Sequence, residues 1–355
     1  MSNKNGQVIL VLVASLLFFV IILPFRASET SLSILPLIFL LAPIVFLITF
    51  INTDAALILL IFSMLVSPEL KIAEVPQRSV VVRLDDILLI VVFFTWLAKM
   101  AINKQLGLLK HTPFNLPIVA FVLVCIASTS IGVLIGQVNL LKSLFYILKY
   151  IEYYILFFMV TNNIRDKEQI KTFIIFFLIT CALTCTYALV TVGPMGRATA
   201  PFEGPKGEPN TLGGYLILLF AIVIGIFLCT PSRAWQFCCG ALACLMFVTL
   251  LQTLSCGSYL AFIPMYLSLI ILTRRKRPLL IGTLILGILI LPSRLPVKVT
   301  QRITRTFVPG RVYEPLEGTR VALDDAAAAR VETWKWVLDK WKRRPLLGYG
   351  LLAWV

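Results

Sequence analysis

Apolar runs of membrane-spanning length follow one another along most of this chain, each closed by a short polar segment. Crossing the hydrocarbon takes roughly 20 mostly apolar residues. Eleven such runs can be placed, near 8–25, 32–51, 54–67, 84–102, 115–136, 143–161, 172–192, 211–229, 235–254, 257–273 and 278–292, the third and last being short. Only 14% of residues are charged, against about 25% in soluble domains, so a water-soluble globular fold is excluded. The expectation is an all-α polytopic transmembrane helix bundle of about 11 spans over 1–292, followed by a large outer loop segment, 293–355, that contains an amphipathic helix. The first run follows a single Lys4 and ends at Pro24-Phe25-Arg26 without a small-residue cleavage site. It reads as a signal anchor that stays with the protein.

Lysine and arginine in the short loops set the orientation. With the N-terminus inside, the inner segments hold 12 of them and the short outer loops hold 7, and the cluster Arg274–Arg277 marks an inner turn. The loop at 194–210 and the segment 293–355 then both lie outside. In a bacterial inner membrane that side is the periplasm.

The net charge of +15 is scattered over both membrane faces, which fits a topology signal and attraction to anionic lipid. Nucleic acid is not an expected partner. The 293–355 segment carries 12 Lys/Arg against six Asp/Glu, a basic water-side surface suited to a diphosphate or a polyanionic lipid. The eight cysteines lie almost wholly in spans or at their ends, where thiols act as small apolar groups. No Cys/His spacing fits zinc, and no metal or cofactor is expected. The single histidine, His111, falls in an inner loop beside Lys104, Lys110 and Pro113 and reads as a surface residue.

Charges inside spans need partners or a task. Lys149 and Glu152 stand at i, i+3 in the sixth run, on one helical face where they can pair. Glu152 lies roughly 13 Å along that helix from its outer end near Ser143. Pairing is the leading reading, and lining of a polar cavity is the other. Arg83, Asp85 and Asp86 open the fourth run, where acid complements a helix N-terminus.

The polar stretch Gly196–Asn210 lies between two apolar runs and carries Arg197, Glu203, Lys206 and Glu208. Its prolines (Pro201, Pro205, Pro209) and glycines (Gly204, Gly207) preclude a helix and favour rigid turns. Asn210 or Thr211 is placed to cap the next span, and free amides at a helix start attract anions. Arg197 could grip phosphate oxygens in bidentate fashion and Lys206 could act as a point charge, while Gly213 and Gly214 allow close approach. A plain solvated connector is the competing reading.

In the last segment, Asp324 and Asp325 precede Ala326–Ala329, a helix start with acid in its first turn. Arg330, Trp334, Val337, Leu338 and Trp341 then form one stripe, expected to rest buried at the outer membrane–water boundary. Arg330 on that stripe needs an anionic partner. Pro345 and Gly348-Tyr349-Gly350 end the helix.

These features together resemble the O-antigen ligase and polymerase superfamily. The residues that carry the resemblance are Gly196-Arg197…Pro209-Asn210-x-x-Gly213, Leu254-Ser255-Cys256-Gly257-Ser258, and Arg330-x-x-x-Trp334…Pro345-x-x-Gly348-x-Gly350. It implies a membrane glycan transferase that moves a glycan from a polyprenyl-diphosphate donor such as undecaprenyl diphosphate to a lipid or glycan acceptor hydroxyl, without a metal. It also implies diphosphate contacts at Arg197 and Arg330; Lys206, read from the loop itself, is expected to join them, with Glu203, Asn210, Ser255 and Trp334 in support. Two departures stand out. The family usually has arginine where Cys256 stands, and its catalytic histidine and closing spans lie beyond the position of Val355. The ending reads as truncation, with an inactive relative as the other reading. A polymerase of the same superfamily and a glycolipid or anion transporter are the alternatives.

Overall fold

The computed structural model of the chain describes residues 43, 45–66, 69–75, 78–102, 110–191, 196–203, 207–274, 276–294, 297–306, 311–316, 319–323, 325–351 and 353. In chain order they form α1 (Thr53–Val66), β1 (Glu69–Val75), β2 (Arg78–Arg83), α2 (Leu84–Ile102), α3 (Asn115–Leu134), α4 (Leu140–Asn163) and α5 (Lys167–Val190). A single 3-10 turn at Pro201–Glu203 follows. Then come α6 (Pro209–Cys229), α7 (Arg233–Gln252), α8 (Cys256–Leu272), α9 (Arg277–Arg294), α10 (Val297–Thr306), β3 (Arg311–Leu316), β4 (Thr319–Leu323) and α11 (Asp325–Arg343).

Every long element is a helix, as expected for segments that must satisfy all backbone groups internally in lipid. The strands add two small antiparallel hairpins that the all-α expectation lacked. β1 and β2 pair from Glu69 with Arg83 to Val75 with Arg78, and β3 and β4 pair from Arg311 with Leu323 to Leu316 with Thr319.

Among the described residues five helices, α3 to α7, are long and apolar enough to cross a membrane, and α1, α8 and α9 contain shorter apolar stretches. α2 carries Asp85, Asp86 and Lys99. The expected spans at 8–25 and most of 32–51 lie outside the described residues, so the described helices do not establish a count of eleven.

Burial is arranged as membrane helices arrange it. Bulky apolar side chains face outward, among them Leu116, Leu134, Ile271 and Leu289, while Thr129, Ser143, Thr180, Thr184 and Thr249 are buried. Small residues let helix backbones approach where lipid supplies no hydrophobic drive for association. Three of these hydroxyls donate to the preceding turn: Thr180 to Phe176 O at 2.8 Å, Thr184 to Thr180 O at 2.9 Å, and Thr249 to Leu245 O at 2.9 Å.

The chain divides into two compact units, residues 1–173 with 331–355, and residues 174–330. In the first unit α1 packs on α2 and α4, α2 on α4, and α3 on α4. Lys149 of α4 is the centre of its charges. Its ammonium lies 2.5 Å from Asp86 of α2 and 3.0 Å from Glu152. The expected i, i+3 pair therefore exists and gains a carboxylate from another helix. The other Asp86 oxygen accepts from the Arg83 amide at 2.9 Å.

The chain's last turn is anchored to the α3–α4 hairpin of the same unit. Ser128 donates to the Leu347 carbonyl, Ser143 donates to Leu351 O at 2.8 Å, and the Leu351 amide donates to Thr129 Oγ1 at 3.3 Å. Gly348 and Gly350 take positive φ, 63° and 95°, and a side chain at Gly132 would lie 2.5 Å from Tyr349 O. Arg344 covers the Tyr349 ring at 4.7 Å. The glycine spacing read from sequence is thus a tertiary joint as well as a helix stop. In the second unit α6 packs on α7 and α8, and α8 also meets α9 and α10.

Candidate functional site

The second unit turns sharply between α7 and α8, and residues far apart in sequence converge there. A helix leaves its last carbonyls without intrahelical donors, and at α7 each is met in turn. Thr253 N and Oγ1 donate to Leu250 O at 3.2 and 2.7 Å. The Tyr259 hydroxyl donates to Leu251 O at 2.6 Å and the Ala198 amide to Gln252 O at 2.9 Å. Arg197 completes the set, Nε donating to Thr253 O at 2.8 Å and Nη2 to Leu254 O at 3.1 Å. Leu254 makes the reversal with φ of 49°.

Ser255 then caps α8, its hydroxyl accepting from the Ser258 amide at 3.3 Å. The same hydroxyl accepts from Ser258 Oγ at 2.9 Å and donates to Asn210 Oδ1 at 2.8 Å. The starts of α6 and α8 are thereby joined. Gly213 permits it, since a Cβ there would lie 1.9 Å from Ser258 Oγ. Gly213, Ser255 and Ser258 are all buried.

The sequence placed a cap at Asn210 or Thr211. Instead Glu208 is the N-cap residue and Pro209 opens the helix. Proline suits that first position because its missing N–H would have no helical acceptor. Asn210 is thereby released to bind Ser255. Within the connector, Gly207 (φ 44°) abuts the Thr199 side chain, Ala198 and Ala200 are buried, and Phe202 meets the Tyr215 ring at 5.5 Å. The described part of the 196–208 stretch is a packed element rather than a free linker.

Arg197 is half-buried. Burial first, and the nearby charge of Arg302 second, hold its guanidinium below its ordinary pKa. Arg302 stands on α10, and its carbonyl accepts from the Cys256 thiol at 3.8 Å. Nothing in the sequence marked Arg302 beyond its place among the basic residues of the last segment, because the approach of α10 to α8 is tertiary.

Of the other expected site residues, Lys206 lies outside the described residues, and Glu203 ends the 3-10 turn. Arg330 is exposed on α11, and so are Trp334, Val337, Leu338 and Trp341, with Trp334 at 64%. Among the described residues the stripe expected to be buried is exposed. His111 is exposed ahead of α3. Among the described residues no group of three or more His, Cys, Asp or Glu side chains could hold a metal ion.

These features define the class as a polytopic helical membrane protein with a cation-bearing turn between two of its helices. Residues 241–354 match the family described as O-Antigen ligase. Over that stretch the chain is similar to the O-antigen ligase family. No curated protein and no solved structure gives a match.

Proposed function

We propose that this protein is a glycan transferase of O-antigen ligase type that takes its glycan from a polyprenyl-diphosphate donor. The observation that carries this reading is the joining of two separate motifs into one unit. Asn210, Gly213 and Arg197 from the connector and α6 meet Thr253, Leu254, Ser255 and Ser258 of the α7–α8 turn. An acceptor hydroxyl would attack the anomeric carbon. The glycosidic bond to phosphate would break, and the lipid diphosphate would leave with the bonding electrons. Fixed cations stabilise charge that develops on a leaving group.

Arg197 has five N–H donors, two of them committed to the turn, so it can be held by protein and still offer donors to phosphate. Lys206 and Arg330 are proposed as further diphosphate contacts, with Glu203, Asn210, Ser255 and Trp334 supporting the site. In this reading the 196–208 connector and 293–355 face the periplasm, as the loop charges favour. The uncovered tryptophans of α11 then rest in lipid headgroups.

The test is glycan ligation and chain elongation in a strain deleted for the gene, comparing the wild-type chain with Arg197→Ala. Loss of transfer with lipid-linked glycan accumulating supports the reading. Intact transfer with impaired movement of substrate across the membrane would establish a transporter instead.

A further inference from the structure

We propose that Lys340 and Arg344, held against Tyr349, form a binding site for the phosphate of an anionic membrane lipid. The assignment rests on the placement of α11 in the headgroup layer proposed above, and gives that helix a ligand of its own, apart from the glycan donor. Residues 340 and 344 stand at i, i+4, so they share one helical face on successive turns. α11 closes at Arg343, and the carbonyl of the next residue, Arg344, accepts from the Gly348 amide at 3.2 Å. The positive φ of Gly348 then brings Tyr349 back over that face. The Tyr349 ring receives Lys340 Nζ at 5.8 Å and the Arg344 guanidinium at 4.7 Å, and Lys340 also lies 5.6 Å from the Trp336 ring.

Aromatic faces attract cations without neutralising them. Among the described residues no carboxylate bridges to either cation. The turn that carries Tyr349 is itself fixed, because the Leu347 and Leu351 carbonyls accept from Ser128 of α3 and Ser143 of α4. Lys340 and Arg344 are accordingly half-buried, whereas Lys335, Lys342 and Arg343 are exposed. Charge selects the ligand first: residues 331–350 carry those five cations against Glu332 and Asp339, so a net anion is favoured. Arginine can hold two phosphate oxygens at once, and lysine adds a point charge. Apolar surface selects it further. Roughly a third of a turn round the helix from the two cations lies the exposed stripe of Trp334, Leu338 and Trp341. A phosphate joined to acyl chains meets both surfaces together, which a free anion does not.

The experiment titrates the full chain in detergent with dioctanoyl phosphatidylglycerol, dioctanoyl phosphatidylcholine and inorganic phosphate. Phosphatidylglycerol should bind the wild-type chain about tenfold or more tighter than either other probe. Lys340→Gln with Arg344→Gln should remove that preference, while Lys340→Arg should keep it. Lys342→Gln with Arg343→Gln takes the same charge from exposed positions and should change binding far less. Equal losses in the two double variants would reduce the effect to general attraction and overturn the site. So would inorganic phosphate or phosphatidylcholine binding as tightly as phosphatidylglycerol. Tyr349→Leu keeps both charges and should still weaken phosphatidylglycerol binding several-fold; an unchanged constant overturns the clamp. That variant decides the matter if the first double variant is not recovered folded. If Arg197→Ala loses phosphatidylglycerol binding as fully as the Lys340–Arg344 variant, the lipid sits at the proposed donor site and the assignment fails. Its failure leaves the proposed function standing, because that is read from glycan transfer and not from phospholipid binding.

Discussion

Two clusters of charge show how differently one chain can use cations. At Lys149 the ammonium is enclosed by Asp86 and Glu152 at 2.5 and 3.0 Å. At the α7–α8 turn, the described charge that acts most strongly on Arg197 is another arginine. The first arrangement answers its own cation, and a part-buried ion cluster of that kind needs no ligand. The second holds the Arg197 guanidinium on two backbone carbonyls, and under the proposed function its remaining donors serve an anion. The two clusters differ in what holds the cation: carboxylates at Lys149, backbone carbonyls at Arg197.

The comparison is most sharply tested at Lys149. Lys149→Met should cost about 3 kcal/mol in unfolding free energy, because two carboxylates lose their cation. Adding Asp86→Asn and Glu152→Gln should recover most of it. Both follow from detergent unfolding curves. A triple variant no more stable than the single one would show that the cluster is more than a self-contained pair.

The next largest effect is expected at Gly213. Gly213→Ala puts a Cβ 1.9 Å from Ser258 Oγ and should destabilise by about 2–3 kcal/mol, with partial recovery on adding Ser258→Gly. Unchanged stability would mean that α6 and α8 can separate, and the joined turn would lose its basis. At the chain's end, Gly350→Ala should cost about 1–2 kcal/mol, since φ of 95° strains any side chain. Limited proteolysis after α11 should accelerate accordingly. Smallest of all, Arg302→Met should shift unfolding by less than about 1 kcal/mol, far below the Lys149 variant. A loss equal to that of Lys149→Met would erase the distinction between the two clusters and make Arg302 structural.

Much of this was legible in the sequence for a physical reason. Apolar runs specify helices because lipid offers no other partner to the backbone. The i, i+3 spacing of Lys149 and Glu152 is a local fact of helix geometry. The turns at Gly196, Gly207, Gly348 and Gly350 follow from residues that tolerate positive φ. Arg197, Asn210, Gly213 and Ser255 could be singled out as a pattern, though not given partners. Local rules also misplaced a cap: proline at 209 starts α6 one residue before Asn210, leaving Asn210 for a tertiary bond.

What the sequence determined by itself is a chain of membrane helices separated by polar turns, and which residue types stand at those turns. Hydrophobic length, helical period and turn chemistry act over a few residues, so they can be read without knowing the fold. Only the tertiary structure decided that Asp86 meets Lys149, that Ser255 meets Asn210, and that Arg302 comes to the turn held by Arg197. Those contacts join residues 45 or more positions apart. They depend on which helix faces pack together, and the periodicity of an almost uniformly apolar helix does not reveal that.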